Sequence, residues 1–235
     1  MKKLLISAMI VLAVGTSLMA AEKKIFKDID IDAFSTDTQV TPQGAGDDHL
    51  ALAWWIPNEF WKSIFSRDVT TSETDKKAML DAMSGISLLA VVQADITSLG
   101  AFKFYSKEEI DEKMLISFTD VSGKRRRLFP MQTIDPDLEV VLGAFTPILG
   151  AAMGNLGNNM HFYVLNDKSE SSTRLLDPYR KGQINIQLSK RNEVLMTAGI
   201  EMPLNSLFVP RKCPNGKDAH ISLKYCPWTG KRLEK

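Results

Sequence analysis

The chain has 235 residues, with 29 Lys and Arg against 28 Asp and Glu. Two of those lysines, Lys2 and Lys3, precede the first apolar run, so the remainder is close to neutral and lacks the basic excess of a nucleic-acid-binding protein. Hydrophobic residues at 44% against 24% charged exclude a disordered chain, and the length suits one domain of good size with room for a small appendage.

Met1-Lys2-Lys3 is followed by an uncharged run from Leu4 to Ala21, closing on small residues before Glu22-Lys23-Lys24. This is the three-part pattern of a secretory signal, with cleavage expected after Ala20 or, alternatively, Ala21. An uncleaved anchor is the competing reading, since the run sits at the lower limit of about 17–25 residues for a membrane span. No Cys follows it to accept a lipid. The expected location is therefore the periplasm or the medium of a bacterial cell.

Residues 21–48 read as a flexible lead-in, with a short strand at 25–31, where Ile25, Ile29 and Ile31 are apolar, and loop chemistry from Thr41 to Gly46. His49–Ile56 predicts a buried strand, and Pro57 opens a short helix to Phe65. A second helix is predicted from a Thr71 or Ser72 cap to Met83. Ile86–Ile96 reads as a central strand, Ala101–Tyr105 as a short one, and Ser106-Lys107-Glu108-Glu109 has the form of a capping box. Met114–Thr119 and Arg126–Met131 predict a hairpin. Asp135-Pro136-Asp137 then starts the longest helix, followed by strands at Met160–Leu165, Gln183–Leu188 and Glu193–Gly199. The stretch from Val140 to Gly157 carries no charge. It reads either as a membrane-inserting segment or as a buried core helix kinked or broken at Pro147, and the proline and glycines favour the second. Strand runs interrupted by about three helices, without regular βαβ alternation, predict an α+β domain over residues 49–208 with a largely antiparallel sheet.

Three clusters are candidates for chemistry or binding. Asp47-Asp48-His49 could hold a metal or act with His161 in an enzyme assembled from scattered residues. Adjacent residues on a strand point to opposite faces, however, which favours a plain polar strand start. Trp54, Trp55, Phe60 and Trp61 form either an aromatic platform for a sugar ring or peptide, or the docking of a helix on a sheet. Lys124-Arg125-Arg126-Arg127 offers a contact for an acidic protein or an anionic surface such as lipid head groups; equally, charge is how an edge strand resists pairing. No G-x-S-x-G elbow, S-x-x-K, Walker loop or G-x-G-x-x-G is present, and Gly154–Asn159 follows a helix rather than opening one.

The tail, residues 209–235, holds both cysteines of the chain, in Cys213-Pro214-Asn215-Gly216-Lys217 and Cys226-Pro227-Trp228-Thr229-Gly230-Lys231. It resembles a zinc ribbon, whose two C-P-x-C-G knuckles stand on paired hairpins and supply four thiolates. The second Cys is missing from the first knuckle, where Asn215 is followed directly by Gly216, and Thr229 stands in its place in the second. Two thiolates do not make a four-ligand structural site. The resemblance holds the knuckles face to face, which leads us to expect a Cys213–Cys226 disulfide. Zinc on Cys213, Cys226 and His220, with Asp218 or water as the fourth ligand, and a pair of free thiols are the alternatives. The functional expectation is an exported, non-enzymatic binding or interaction protein without a cofactor. Its alternative is a hydrolase-type or metal-dependent enzyme.

Overall fold

The architecture is organised around β3 (Ile86–Ile96), an eleven-residue run buried from Ile86 to Ala94. A strand with no polar alternation must be covered on both faces, and this one is. The computed structural model describes residues 21–233 apart from residue 45 and residues 169–173; the expected signal segment, residues 1–20, and part of the polar loop 166–180 lie outside the described residues. Along one side of β3 runs β2 (His49–Ile56), antiparallel from His49–Asp95 to Ile56–Leu88, with β1 (Gln39–Val40) beyond it. The other side is shared end to end by β4 (Phe102–Phe104) and β7 (His161–Asn166).

A second antiparallel sheet has the order β6–β5–β8–β9, formed by β5 (Leu115–Asp120), β6 (Arg125–Leu128), β8 (Gly182–Ser189) and β9 (Leu195–Met202). Its strands β8 and β9 do alternate. Ile184, Ile186 and Leu188 are buried, whereas Gln183, Asn185 and Gln187 between them are partly exposed. The second sheet therefore turns its apolar face toward the first and a polar face outward. Isolated bridges stitch the two together along both margins. Gln43 pairs with Thr197 of β9, and Pro130, just beyond β6, pairs with Leu165 of β7.

On the outer side of the first sheet, α1 (Ile31–Thr38), α2 (Asn58–Phe65), α3 (Glu73–Ala82) and α5 (Pro136–Ala152) pack in a row, with α1 resting on β2. The short α4 (Lys107–Lys113) lies against β8. Local chemistry starts these helices where expected. Ser72 caps α3, Ser106 and Glu109 close a reciprocal capping box on α4, and Asp135 caps α5 ahead of Pro136. The fold is thus α+β with antiparallel sheets, as predicted, although the described residues hold five α-helices rather than about three.

Two expectations are corrected. Residues 25–31 form no strand: a 3-10 turn, Phe26–Asp28, leads into α1, whose N-cap Asp30 accepts from the amides of Asp32 and Ala33. Ile29 and Phe34 are fully buried, so the domain begins well before residue 49, and the lead-in is part of its core. Second, α5 is neither a fully buried helix nor one broken at Pro147. It runs through the proline because Gly143, whose carbonyl loses its partner there, and Pro147 itself both face solvent. Leu138 and Leu149 are its deeply buried large side chains among the described residues, while Val140 and Ile148 stand exposed. After α5 the chain doubles back so tightly that a Cβ on Gly157 would sit 1.7 Å from the Gly150 carbonyl oxygen.

If the first helix is core, Phe34→Ala should cost about 3–5 kcal/mol in urea unfolding, the range for a buried aromatic. A cost near zero would return residues 21–38 to the status of a lead-in.

Candidate functional site

The aromatic cluster is packing. Trp54, Trp55 and Trp61 are 4%, 0% and 4% exposed, so of the two readings it is the docking of a helix on a sheet, not an exposed platform, that these rings serve. Phe60 meets Phe34, Trp54 and Trp61 edge to face at 5.4–5.8 Å, and Trp61 stacks on Phe145 of α5 at 4.5 Å. These rings fasten the helix row to the sheet, the geometry in which aromatic pairs attract most.

Of the Asp47–His49 group, only His49 points inward. Asp48 reaches Lys190 at 2.6 Å, and Asp47 is exposed. The His49 side chain is fully buried, with Nδ1 2.9 Å from Asp95 Oδ1 and Nε2 3.1 Å from the Gln93 amide nitrogen. Gln93 also donates to the Ser189 carbonyl, so Nε2 accepts from Gln93 and Nδ1–H donates to Asp95. Both ring nitrogens are spoken for, and burial pushes the imidazole below its ordinary range despite the carboxylate beside it. Asp95 is equally occupied: it also takes the Tyr105 hydroxyl at 2.9 Å and the Arg191 guanidinium. Burial raises the Asp95 carboxyl, but the bonds from Arg191, His49 and Tyr105 outweigh it and leave it below the usual range. Arg191 clamps Glu109 in two bonds of 2.7 and 3.0 Å, which holds that carboxyl down at about 2. His161 spends Nε2 on the Tyr105 carbonyl at 3.0 Å. Both histidines thus touch Tyr105, His49 edge-on to its ring at 5.5 Å and His161 through its carbonyl.

Arg125, Arg126 and Arg127 are exposed on β6, the edge strand of the second sheet. Arg125 Nε donates to Ser117 at 2.8 Å, and the Arg127 guanidinium lies 4.8 Å from the Phe129 ring centroid. In the tail, β10 (Arg211–Lys212) and β11 (Asp218–Ala219) form a small hairpin, and Cys213 and Cys226 are joined in a disulfide. Each cysteine opens a tight turn, closed by Cys213 N–H to Lys217 and Cys226 N–H to Lys231. Ala219 and Leu233 bury the sulfurs in a small separate core. His220 is exposed and bonded through Nδ1 to Ser222 at 2.8 Å. It does not converge on the sulfurs, and among the described residues no group of three or more metal-ligating side chains comes together.

A cleft that no motif announced opens where the two sheets part, at the margin between β6 and β7. Pro130 has no N–H to continue the β6 ladder. The chain leaves the second sheet there, and Met131 N–H bonds the Val164 carbonyl of β7 at 2.8 Å. The resulting cavity, about 550 Å³, lies within the 300–1,000 Å³ typical of small-molecule sites. Its walls are apolar: Met114 and Ile116 from the β5 side, Leu128 and Phe129 from β6, Ile134 and Leu142 at and on α5, and Phe162 and Val164 from β7. Polar groups gather at Lys107, Asp111, Arg127 and Tyr163. Lys107 Nζ pairs with Asp111 at 2.6 Å and sits 4.6 Å from the Tyr163 ring centroid. Tyr163 is 2% exposed, and its hydroxyl faces the Asp111 carboxylate without closing a hydrogen bond of good geometry to it or to any other described group. Burial first, and then Asp111, push its ionisation well up, so it remains a proton donor. An unmet buried hydroxyl costs about 1–3 kcal/mol, a cost that an acceptor entering the cleft would relieve.

No family model, curated protein or solved structure matches the chain. The site must therefore be read from its own geometry.

Two outcomes follow from these placements. Because folded His49 resists protonation while the unfolded imidazole titrates near 6.5, the unfolded state binds more protons below that pH. Stability should fall as pH drops from about 6.5 to 5, with a slope approaching about 1.4 kcal/mol per pH unit, and His49→Asn should flatten it. Urea unfolding at a series of pH values reads this out; identical slopes in both proteins would remove His49 from the network. Reduction of the disulfide should make the tail cleavable by trypsin while near-UV circular dichroism of the main domain persists, since the loop it closes stabilises by about 3 kcal/mol.

Proposed function

We propose that the chain is an exported, non-enzymatic binding protein whose cleft takes an amphipathic anion. The observation that carries this is the pairing of an apolar cavity of about 550 Å³ with a buried, unsatisfied Tyr163 hydroxyl and two cations against one carboxylate at the same site. An apolar tail would lie between α5 and the two sheets, replacing water on Ile116, Leu142 and Phe162 at about 25 cal/mol per Å² of apolar surface buried. The anionic head would accept from Tyr163 and pair with Arg127, which has no acidic partner within salt-bridge distance among the described residues. The leader pattern and the disulfide support an extracytoplasmic setting. Saturation of His49 and Asp95 by neighbouring groups supports binding over catalysis.

The test is titration with anilinonaphthalene sulfonate, which joins fused apolar rings to a fixed negative charge. Saturable binding near one equivalent is expected, with native near-UV circular dichroism throughout. Thr146→Trp, filling the cleft from α5, should weaken it at least tenfold, and Arg127→Gln roughly threefold to tenfold, as expected for loss of a charge-assisted contact. Unsaturable binding, or binding indifferent to both substitutions, would contradict the proposal.

A further inference from the structure

We infer that the disulfide-linked tail binds an anionic polysaccharide of the uronate type, through lysines set beside exposed aromatic rings. This surface stands apart from the cleft and does not depend on what the cleft holds. Charge divides the chain in two. Residues 209–235 carry seven Lys and Arg against two Asp and Glu, whereas residues 21–208 carry twenty against twenty-six. The near-neutral total is thus a basic appendage on an acidic body. The appendage is held as a unit. Ala219 and Leu233 pack on the cystine, and Arg211 donates to the Leu223 carbonyl at 2.9 Å. Ile221 is buried in the main core, with its N–H on Asn205 at 2.9 Å.

The disulfide sets the two knuckles side by side, and a cation on a ring joins them. Lys217, closing the first, places Nζ 5.2 Å from the Trp228 ring centroid in the second. Trp228 remains 51% exposed. At the stem of the second knuckle Tyr225 pairs with Arg232 across an isolated bridge. Cys226 and Leu233, their neighbours in the chain, turn inward, so this pair faces out, with Tyr225 59% exposed. Lys212 pairs with Asp218, but Lys217, Lys224, Lys231 and Arg232 have no acid within salt-bridge distance among the described residues.

Two features of this surface choose the partner. A flat anionic surface would meet the acidic body behind the tail as well, and within a Debye length of about 8 Å that repulsion is felt. A linear polyanion need touch only the tail. Second, cation and aromatic face come in one contact, so the matching unit carries its charge directly on a ring with an apolar face. A uronate sugar does so: its carboxylate is attached to the pyranose whose C–H face lies on Trp or Tyr, rings suited to a half-wet setting. In a nucleotide the phosphate stands off the base by the whole sugar, and an acidic peptide brings charge without a ring. Lysine supplies the charge as a mobile point, which suits a polymer bound in many registers. Such polymers are extracytoplasmic, in keeping with the leader pattern of residues 1–21.

Calorimetric titration of the full exported chain with polygalacturonate tests this. Saturable binding is expected in about 50 mM salt, weakened at least tenfold in about 300 mM. Trp228→Ala should weaken it at least fivefold, and Lys217→Gln with Lys231→Gln at least tenfold. An intact disulfide by mass and an unchanged urea midpoint show that the variants fold. Single-stranded DNA, polyglutamate and phosphatidylglycerol vesicles should each bind at least fivefold more weakly than polygalacturonate. Equal binding of any of these, indifference to Trp228→Ala, or no binding of polygalacturonate would overturn the inference. Sulfonate-probe binding should be the same in every variant; its absence throughout would remove the cleft reading and leave this one standing.

Discussion

Asp95 is where the two sheets are locked together. It lies near the end of β3, in the first sheet, and accepts from His49 of β2, from Tyr105 after β4, and from Arg191 in the turn between β8 and β9 of the second sheet. Arg191 in turn holds Glu109 of α4, rests its guanidinium 3.9 Å from the centre of the Tyr105 ring, and donates its backbone N–H to the Tyr105 hydroxyl oxygen. Partly buried ionic groups of this kind contribute less to net stability than their number suggests, because desolvation offsets most of the attraction. What they do here is set position: the β8–β9 turn has one seat on the first sheet. The bridge between Gln43 and Thr197 closes the margin formed by β9. At the other margin, among the described residues, the backbone closure is carried by Pro130 and Met131, and there the sheets part.

The cleft is a consequence of that asymmetry. Packing β6 directly on β7 would have completed the core; instead a proline ends the ladder one residue past Phe129, and α5 spans the gap. A second polar node does comparable service at the far end of β7. Asp167 accepts from Ser87 Oγ and from the Leu176 amide and pairs with Arg174, which also reaches Glu59 on α2. The nodes at Asp95 and Asp167 bracket β3 and β7, so the strand that carries Tyr163 is held at both ends. A cleft wall held in this way is preformed for its ligand, and binding need not spend free energy on ordering it.

Much of this fold was legible because local chemistry is unambiguous where it matters. Ser72, Ser106 with Glu109, and Asp135 with Pro136 each start a helix on the residue expected. The apolar density of Ile86–Ile96 identifies the central strand, and the two Cys-Pro steps identify the linked tail. The first helix was missed because Ile25, Ile29 and Ile31 mimic strand alternation, while its decisive residue, the Asp30 cap, sits amid other acids. Trp54 and Trp61 illustrate a different limit. Their pattern fits a platform and a core equally, and only the arrival of Phe34 and Phe145 from distant segments decides between them. The cleft left no signature. Its walls come from α4, β5, β6, α5 and β7, each contributing ordinary apolar residues for ordinary reasons, and Lys107 and Asp111 read as a solvated helix face. Tyr163 becomes informative only once its hydroxyl is seen to be buried without a partner.

The central claim is that an amphipathic anion enters between β6, β7 and α5. Amide chemical shifts, followed as a short-chain phosphatidylglycerol is added below its micelle concentration, locate binding residue by residue. The account predicts saturable shifts concentrated at Phe129–Met131, along β7 around Tyr163, and on the Leu142–Thr146 turn of α5, with the disulfide-linked tail unmoved. Shifts confined to the tail, or none at saturating lipid, would contradict it.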